Sequence, residues 1–98
     1  MKRSFTKYPT SYVKASIDPD EAEACIVYWE APNSICNERQ KTVSYFSTWG
    51  EAYLEYKRWA EEIDNPDSRW GILKVQLWRK FRKGGDFVLD EEKVSKDF

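Results

Sequence analysis

The chain has 98 residues, with 16 Lys and Arg against 17 Asp and Glu, no His, and a formal net charge of −1. That length makes one domain, 1–98, with an adequate but ungenerous core, and the near-neutral balance argues against a general nucleic-acid binder, which carries a clear basic excess. Lack of His removes the commonest general base and every Ser-His or Cys-His pairing, while two Cys support neither a disulfide framework nor a structural zinc site within one chain.

Met1 to Thr10 is polar and basic and contains Pro9, so a loosely held arm is expected. Ser11 to Ile17 alternates, with Val13, Ala15 and Ile17 on one side and Lys14 on the other, as a short edge strand does. Asp18, Pro19 and Asp20 break it, and Asp18 can cap a helical turn that Pro19 begins. Ala24 to Ala31, ACIVYWEA, is apolar on both alternating sets, which is the pattern of a central strand covered on both faces. Pro32 ends it, and a polar loop follows with Ile35 at its middle. Lys41 to Ser47 alternates again, with Val43 and Tyr45 inward.

The strongest signal is TWGEAYLEYKRWAEEID, Thr48 to Asp64. Trp49, Ala52, Tyr53, Tyr56, Trp59, Ala60 and Ile63 recur three or four apart and make one stripe of an α-helix, with Glu51, Glu55, Arg58, Glu61 and Glu62 mostly behind it. Thr48 followed by Glu51 is a capping box, and Asn65 with Pro66 closes the helix. Burial of five large side chains on that stripe, at roughly 1.5 to 3 kcal/mol each, is enough to hold it on a sheet.

Trp70 to Lys83 reads as a second long strand, with Leu73, Val75, Leu77 and Phe81 on one face and Ile72, Lys74, Gln76, Trp78 and Lys80 on the other. Lys83, Gly84, Gly85 and Asp86 suit a two-residue hairpin turn, after which Phe87 to Leu89 can pair back. The acidic tail 90–98 frays unless Val94 and Phe98 pin it. The order strand, strand, strand, helix, strand, strand implies an α+β domain, an antiparallel sheet of four to five strands with one main helix packed across one face.

Charge is distributed in blocks. Asp18, Asp20, Glu21, Glu23 and Glu30 form an acidic one, and Arg69 to Lys83 carries six positive charges and no negative one. Asp18, Asp20, Glu21 and Glu23 lie in an exposed turn where nothing raises a pKa, so no catalytic pair is expected, and no glycine loop suited to phosphate is present. No catalytic, cofactor or metal residues are assigned, and an enzyme is not expected. In Trp78 to Lys83, WRKFRK, basic side chains interleave with aromatics, a mixture that can contact phosphate and stack on bases. Ile35, Leu54, Trp78 and Trp70 are apolar residues set among charges, as anchors of a compact protein interface are. The candidate partner-binding residues are therefore Ile35, Leu54, Trp78, Arg79, Lys80, Arg82 and Lys83.

In size, lack of catalytic residues, aromatic density with five Trp and six Tyr, and sheet-plus-helix plan, the whole chain resembles the small phage-encoded anti-defence inhibitors, anti-CRISPR proteins among them. That resemblance implies binding to a host protein or nucleoprotein complex and occlusion of its nucleic-acid or target site, by surface residues and not a cleft. It places the protein in the host cytoplasm. No apolar run reaches the ~20 residues that cross a bilayer, and the start MKRSFTKYPTSY lacks a signal peptide's apolar stretch, so no membrane association is expected. The alternative expectation is a small nucleic-acid-binding module using 78–83. A homodimer is a further expected possibility if a sheet face of so small a domain is left uncovered.

Overall fold

The computed structural model describes residues 12–15, 17–32, 37–68, 71–82, 84–96 and 98. Five strands, β1 (Tyr12–Ala15), β2 (Ala24–Glu30), β3 (Gln40–Phe46), β4 (Ile72–Arg79) and β5 (Val88–Val94), form one sheet in the order β1-β3-β2-β4-β5. The helix α1 (Trp49–Ile63) joins β3 to β4 and packs mainly on β4 and β2. β2 to β5 are antiparallel neighbours, so the α+β plan stands. The departure is β1, an edge strand as expected but parallel to β3, with Val13 opposite Val43. The acidic turn and β2 lie between β1 and β3 in the chain, and they give it the length to return on the same heading. No helix among the described residues is long and apolar enough to cross a membrane.

β2 is central, and both of its alternating sets are buried. Ala24 and Ile26 join Val75 and Leu77 of β4 beneath Ala52, Tyr56 and Ala60 of the helix, with Tyr28, Phe46, Trp49, Tyr53, Trp59 and Ile63 around them. Tyr28 stacks on Trp59 at 4.8 Å between ring centroids. On the other face Cys25 and Val27 meet Val43, Tyr45, Trp78 and Phe87, closed by Ala22 and flanked by Ile17 and Trp29. Cys25 is a free thiol, and burial pushes its pKa well up. Cys36 lies outside the described residues.

The helix start differs in detail from a reciprocal capping box. Thr48 Oγ1 accepts from the Glu51 N–H at 3.3 Å, but the Glu51 carboxylate accepts from the hydroxyls of Thr48 and Ser47, at 2.9 and 3.1 Å. The Trp49 N–H is taken instead by Glu23 Oε1, 3.2 Å away, from the turn before β2. A carboxylate there suits the positive end of the helix dipole.

One sequence expectation about the chain after the helix is corrected. Residues 80–87 connect β4 to β5, with Arg79 paired to Val88, so the connection is longer than a two-residue turn. Of the two glycines only Gly84 has positive φ, 76°. The segment from Asp90 is held by the two residues named for it: β5 runs to Val94, and Phe98 sets its ring edgewise on Trp29 at 6.3 Å. The expected arm 1–10 lies outside the described residues.

Candidate functional site

Where β4 ends, the chain leaves the sheet and its alternation ceases. Arg79 is the last strand residue, and its guanidinium lies between the rings of Trp49 and Phe81, 5.1 and 5.0 Å from their centroids. Trp49 stacks in turn on Tyr53 at 4.8 Å and donates its indole N–H to Asp90 Oδ2 at 3.1 Å. Lys57 Nζ sits 5.7 Å from the Tyr53 ring. Cations and stacked rings thus form one run from the helix flank to the end of β4, each cation–ring contact worth about 0.5 to 1 kcal/mol where exposed. At its end Phe81 stands in solvent, 70% exposed.

Phe81 and Arg79, with Arg82 and Lys80, form one wall of a cleft of about 530 Å³. Opposite stand Asp20, Glu21, Ala22 and Glu23 of the acidic turn, with Ser47 at the helix start. The turn is held by its own backbone, since Asp18 O accepts from Glu21 and Ala22 and Asp18 Oδ1 accepts from the Asp20 N–H at 2.9 Å. It is then tied to β4. The Lys80 N–H donates to Glu23 O at 2.9 Å, and Lys80 Nζ donates to Pro19 O at 2.7 Å and Asp20 O at 3.2 Å while lying 4.7 Å from the centre of the Phe87 ring.

The expected partner-binding residues divide on this geometry. Leu54 is 71% exposed on the outer side of the helix, Arg82 is exposed, and Arg79 is half-buried. Trp78 is corrected from surface anchor to core, at 4% exposure, with its indole N–H satisfied by Gln76 Oε1 at 2.9 Å. Strand alternation assigned it to the face away from Leu77 but held no sign that Ala22 and Phe87 close that face. Lys80 is half-buried, lining the cleft while its ammonium donates to the carbonyls of the turn. Ile35, Lys83 and Trp70 lie outside the described residues.

Sequence reasoning also placed Phe81 on a packed face. Its exposure follows from the strand ending two residues earlier, where period two no longer applies. The acidic wall was seen as a charge block, but nothing in the sequence set it against β4. A second cluster was missed altogether: Lys41 and Lys74 lie 5.4 and 4.9 Å from the Trp29 ring, and Arg39 and Lys74 lie 4.7 and 5.0 Å from that of Phe98. Cross-strand register makes it, Trp29 pairing with Lys41 on one side and Lys74 on the other.

Among the described residues no group of three or more Cys, Asp or Glu is placed to hold a metal ion. The fold and the cleft together define a two-layer α+β domain with a mixed-charge, aromatic-lipped surface site. No family model matches the chain, and neither does any curated protein or solved structure.

Proposed function

We propose that the chain is a non-enzymatic binding protein, a phage anti-CRISPR or other anti-defence inhibitor, which docks in the host cytoplasm on a protein or nucleoprotein complex acting on nucleic acid and blocks it. The observation that carries this reading is Phe81, an exposed aromatic ring braced by the Arg79 guanidinium inside a rim of both charge signs. Such a ring loses little conformational freedom on binding, and a few aromatic and Arg anchors carry most of an interface's affinity. Arg82 on one wall and Asp20 and Glu21 on the other would set orientation and speed encounter.

The alternative, a small nucleic-acid-binding module, draws on the same Phe81 ring with Arg79 and Arg82 beside it. It loses Trp78 to the core and Lys80 to the carbonyls of the turn. It also puts Asp20 and Glu21 across the cleft, where they repel phosphate.

Two measurements decide between these. Tagged wild-type chain and the Phe81→Ala/Arg82→Glu variant are used to capture proteins from a bacterial lysate, and both are titrated with labelled single-stranded DNA and RNA. A nuclease or surveillance complex retained by the wild type, lost by the variant and inhibited at one-to-one stoichiometry supports the inhibitor. Recovery of no specific protein, with labelled nucleic acid bound in a salt-sensitive way, transfers the assignment to the alternative.

A further inference from the structure

β5 ends the sheet order β1-β3-β2-β4-β5, so among the described residues no strand lies along its outer side. One hydrogen bond fixes which main-chain groups face that way. The Ser95 N–H donates to Leu73 O at 2.7 Å, and Val94 stands opposite Lys74, so Leu73 and Ser95 are a hydrogen-bonded pair. In an antiparallel ladder such pairs alternate with open ones. Lys93 and Glu91 therefore bond β4, while the N–H and C=O of Val94 and Glu92 point away from it. An edge of this kind is a template for a further strand.

The side chains along it differ by face. Away from the helix stand Leu89 and Val94, opposite Trp78 and Lys74, with the Phe98 ring nearby on Lys74. They are 40%, 46% and 43% exposed, three of the five large apolar side chains that the described residues leave in water. On the helix side are Glu91, opposite Leu77, and Asp90, the extra residue where the register shifts, whose carboxylate reaches the Trp49 indole. Lys93 is taken by Asp64, and Glu92 pairs with Lys74 at 3.1 Å. One face of the edge is thus apolar and the other negative.

We propose that β5 receives an extended segment of a partner protein, alternately apolar and basic, as a further strand of the sheet. Its main chain bonds to Glu92 and Val94. Its apolar side chains cover Leu89, Val94 and Phe98, and its Lys or Arg side chains meet Asp90 and Glu91. In strand addition the main chain supplies affinity and alternate side chains supply specificity. A second copy is not that segment: set centre to centre, the run Asp90 to Glu92 meets itself, and like charges directly opposite on a ladder repel. The surface is separate from the cleft beside Phe81, to which β5 contributes no lining residue, and its use does not depend on what docks there.

The probe is a synthetic peptide of alternating Val and Lys, titrated into the purified full-length chain and followed by amide hydrogen exchange. In the free chain the amides of Glu91 and Lys93 should be protected and those of Glu92 and Val94 open; with peptide the latter two should slow by about tenfold or more. Val94→Pro removes an outward N–H and no bond to β4. It should leave circular dichroism unchanged and weaken peptide binding about tenfold or more, as should Glu91→Lys. The same peptide with Pro at its centre, or with Glu in place of Lys, should bind at least about tenfold less well. Absence of binding by the Val-Lys peptide at about 1 mM overturns the proposal. So do equal binding of the Pro-interrupted peptide and binding unmoved by both variants. Protection of Glu92 and Val94 that rises with protein concentration alone also overturns it, because the occupant is then a second copy.

Discussion

The two faces of the sheet are equally dry but are closed by different means. Over Ile26, Val75 and Leu77 lies one regular element, whose stripe of Ala52, Tyr56 and Ala60 repeats at helical period. Over Cys25, Val27, Val43 and Trp78 the described cover is a set of single residues: Ala22 from the acidic turn, Phe87 from the β4–β5 connection, and Ile17 and Trp29 at the flank. The first cover is a property of a segment; the second depends on where loops are tied. The candidate site lies at the tied side, since the Lys80 tether that seats the acidic turn also lines the cleft.

If both covers are complete, deletions beneath them should cost alike. Trp78→Ala should destabilise by about 3 to 5 kcal/mol and Leu77→Ala by about 2 to 5, read from the urea midpoint at constant slope. The Trp78 deletion also strands Gln76 Oε1, which accepts from the indole. By contrast Phe81→Ala, three residues along and 70% exposed, should lie within about 0.5 kcal/mol of wild type. A Trp78→Ala cost as small as that of Phe81→Ala would mean that the loop-covered face is no core at all.

The tether itself comes next. Lys80→Met keeps the chain's length but leaves Pro19 O and Asp20 O without their charged donor, and should cost about 1.5 to 3 kcal/mol. Arg82→Met, at an exposed residue just beyond, should cost almost nothing. On the helix side the corresponding fastening is the cap: Thr48→Ala should remove about 1 kcal/mol, since it loses the acceptor for the Glu51 N–H. A Lys80→Met cost below that of Thr48→Ala would make the loop cover the more loosely fastened of the two, contrary to the geometry.

This asymmetry explains what the sequence could and could not reveal. The helix, its Thr48 cap, central β2 and the β3 and β4 cores were legible because each is a local pattern longer than one period of its element. Trp78 and Phe81 were misassigned for a shared reason. Both sit where strand alternation hands over to contacts made from outside the strand: Ala22, which closes over Trp78, comes from the turn before β2, far away in the chain, and Phe87 from the connection beyond β4. The same holds for Lys80, whose partner carbonyls are 60 and 61 residues away. Leu54 was legible as an outward helical position, and Arg82 as part of a basic run. The placing of Arg82 around one cleft with Asp20 and Glu21 was not, because β-pairing brings those ends together and composition cannot.

Ionisation offers the gentlest comparison of the faces. Burial raises the pKa of Tyr45 on the loop-covered face and of Tyr56 on the helix above the ordinary 10.0, with Cys25 adding to the first and Glu91, Glu92 and Tyr53 to the second. A phenol harder to ionise when folded favours the folded state fully below about pH 10, and that stability is lost as pH climbs through the raised folded value. Tyr45→Phe and Tyr56→Phe should each flatten the alkaline limb of a stability–pH curve. The smallest effect belongs to Glu30, at the end of β2, where the ladder to β4 shifts register between Trp29 and Glu30. Burial raises its pKa above 4.5. The unfolded chain therefore gives up this proton first, and stability present at low pH is lost as pH rises through the folded value. Glu30→Gln should be neutral near about pH 3 and stabilising near about pH 7, where only the unfolded chain gains by ionising this group freely. A loss of stability at neutral pH would instead show that the charged carboxylate is held by a favourable contact, and that the strand end is wetter than the faces it joins.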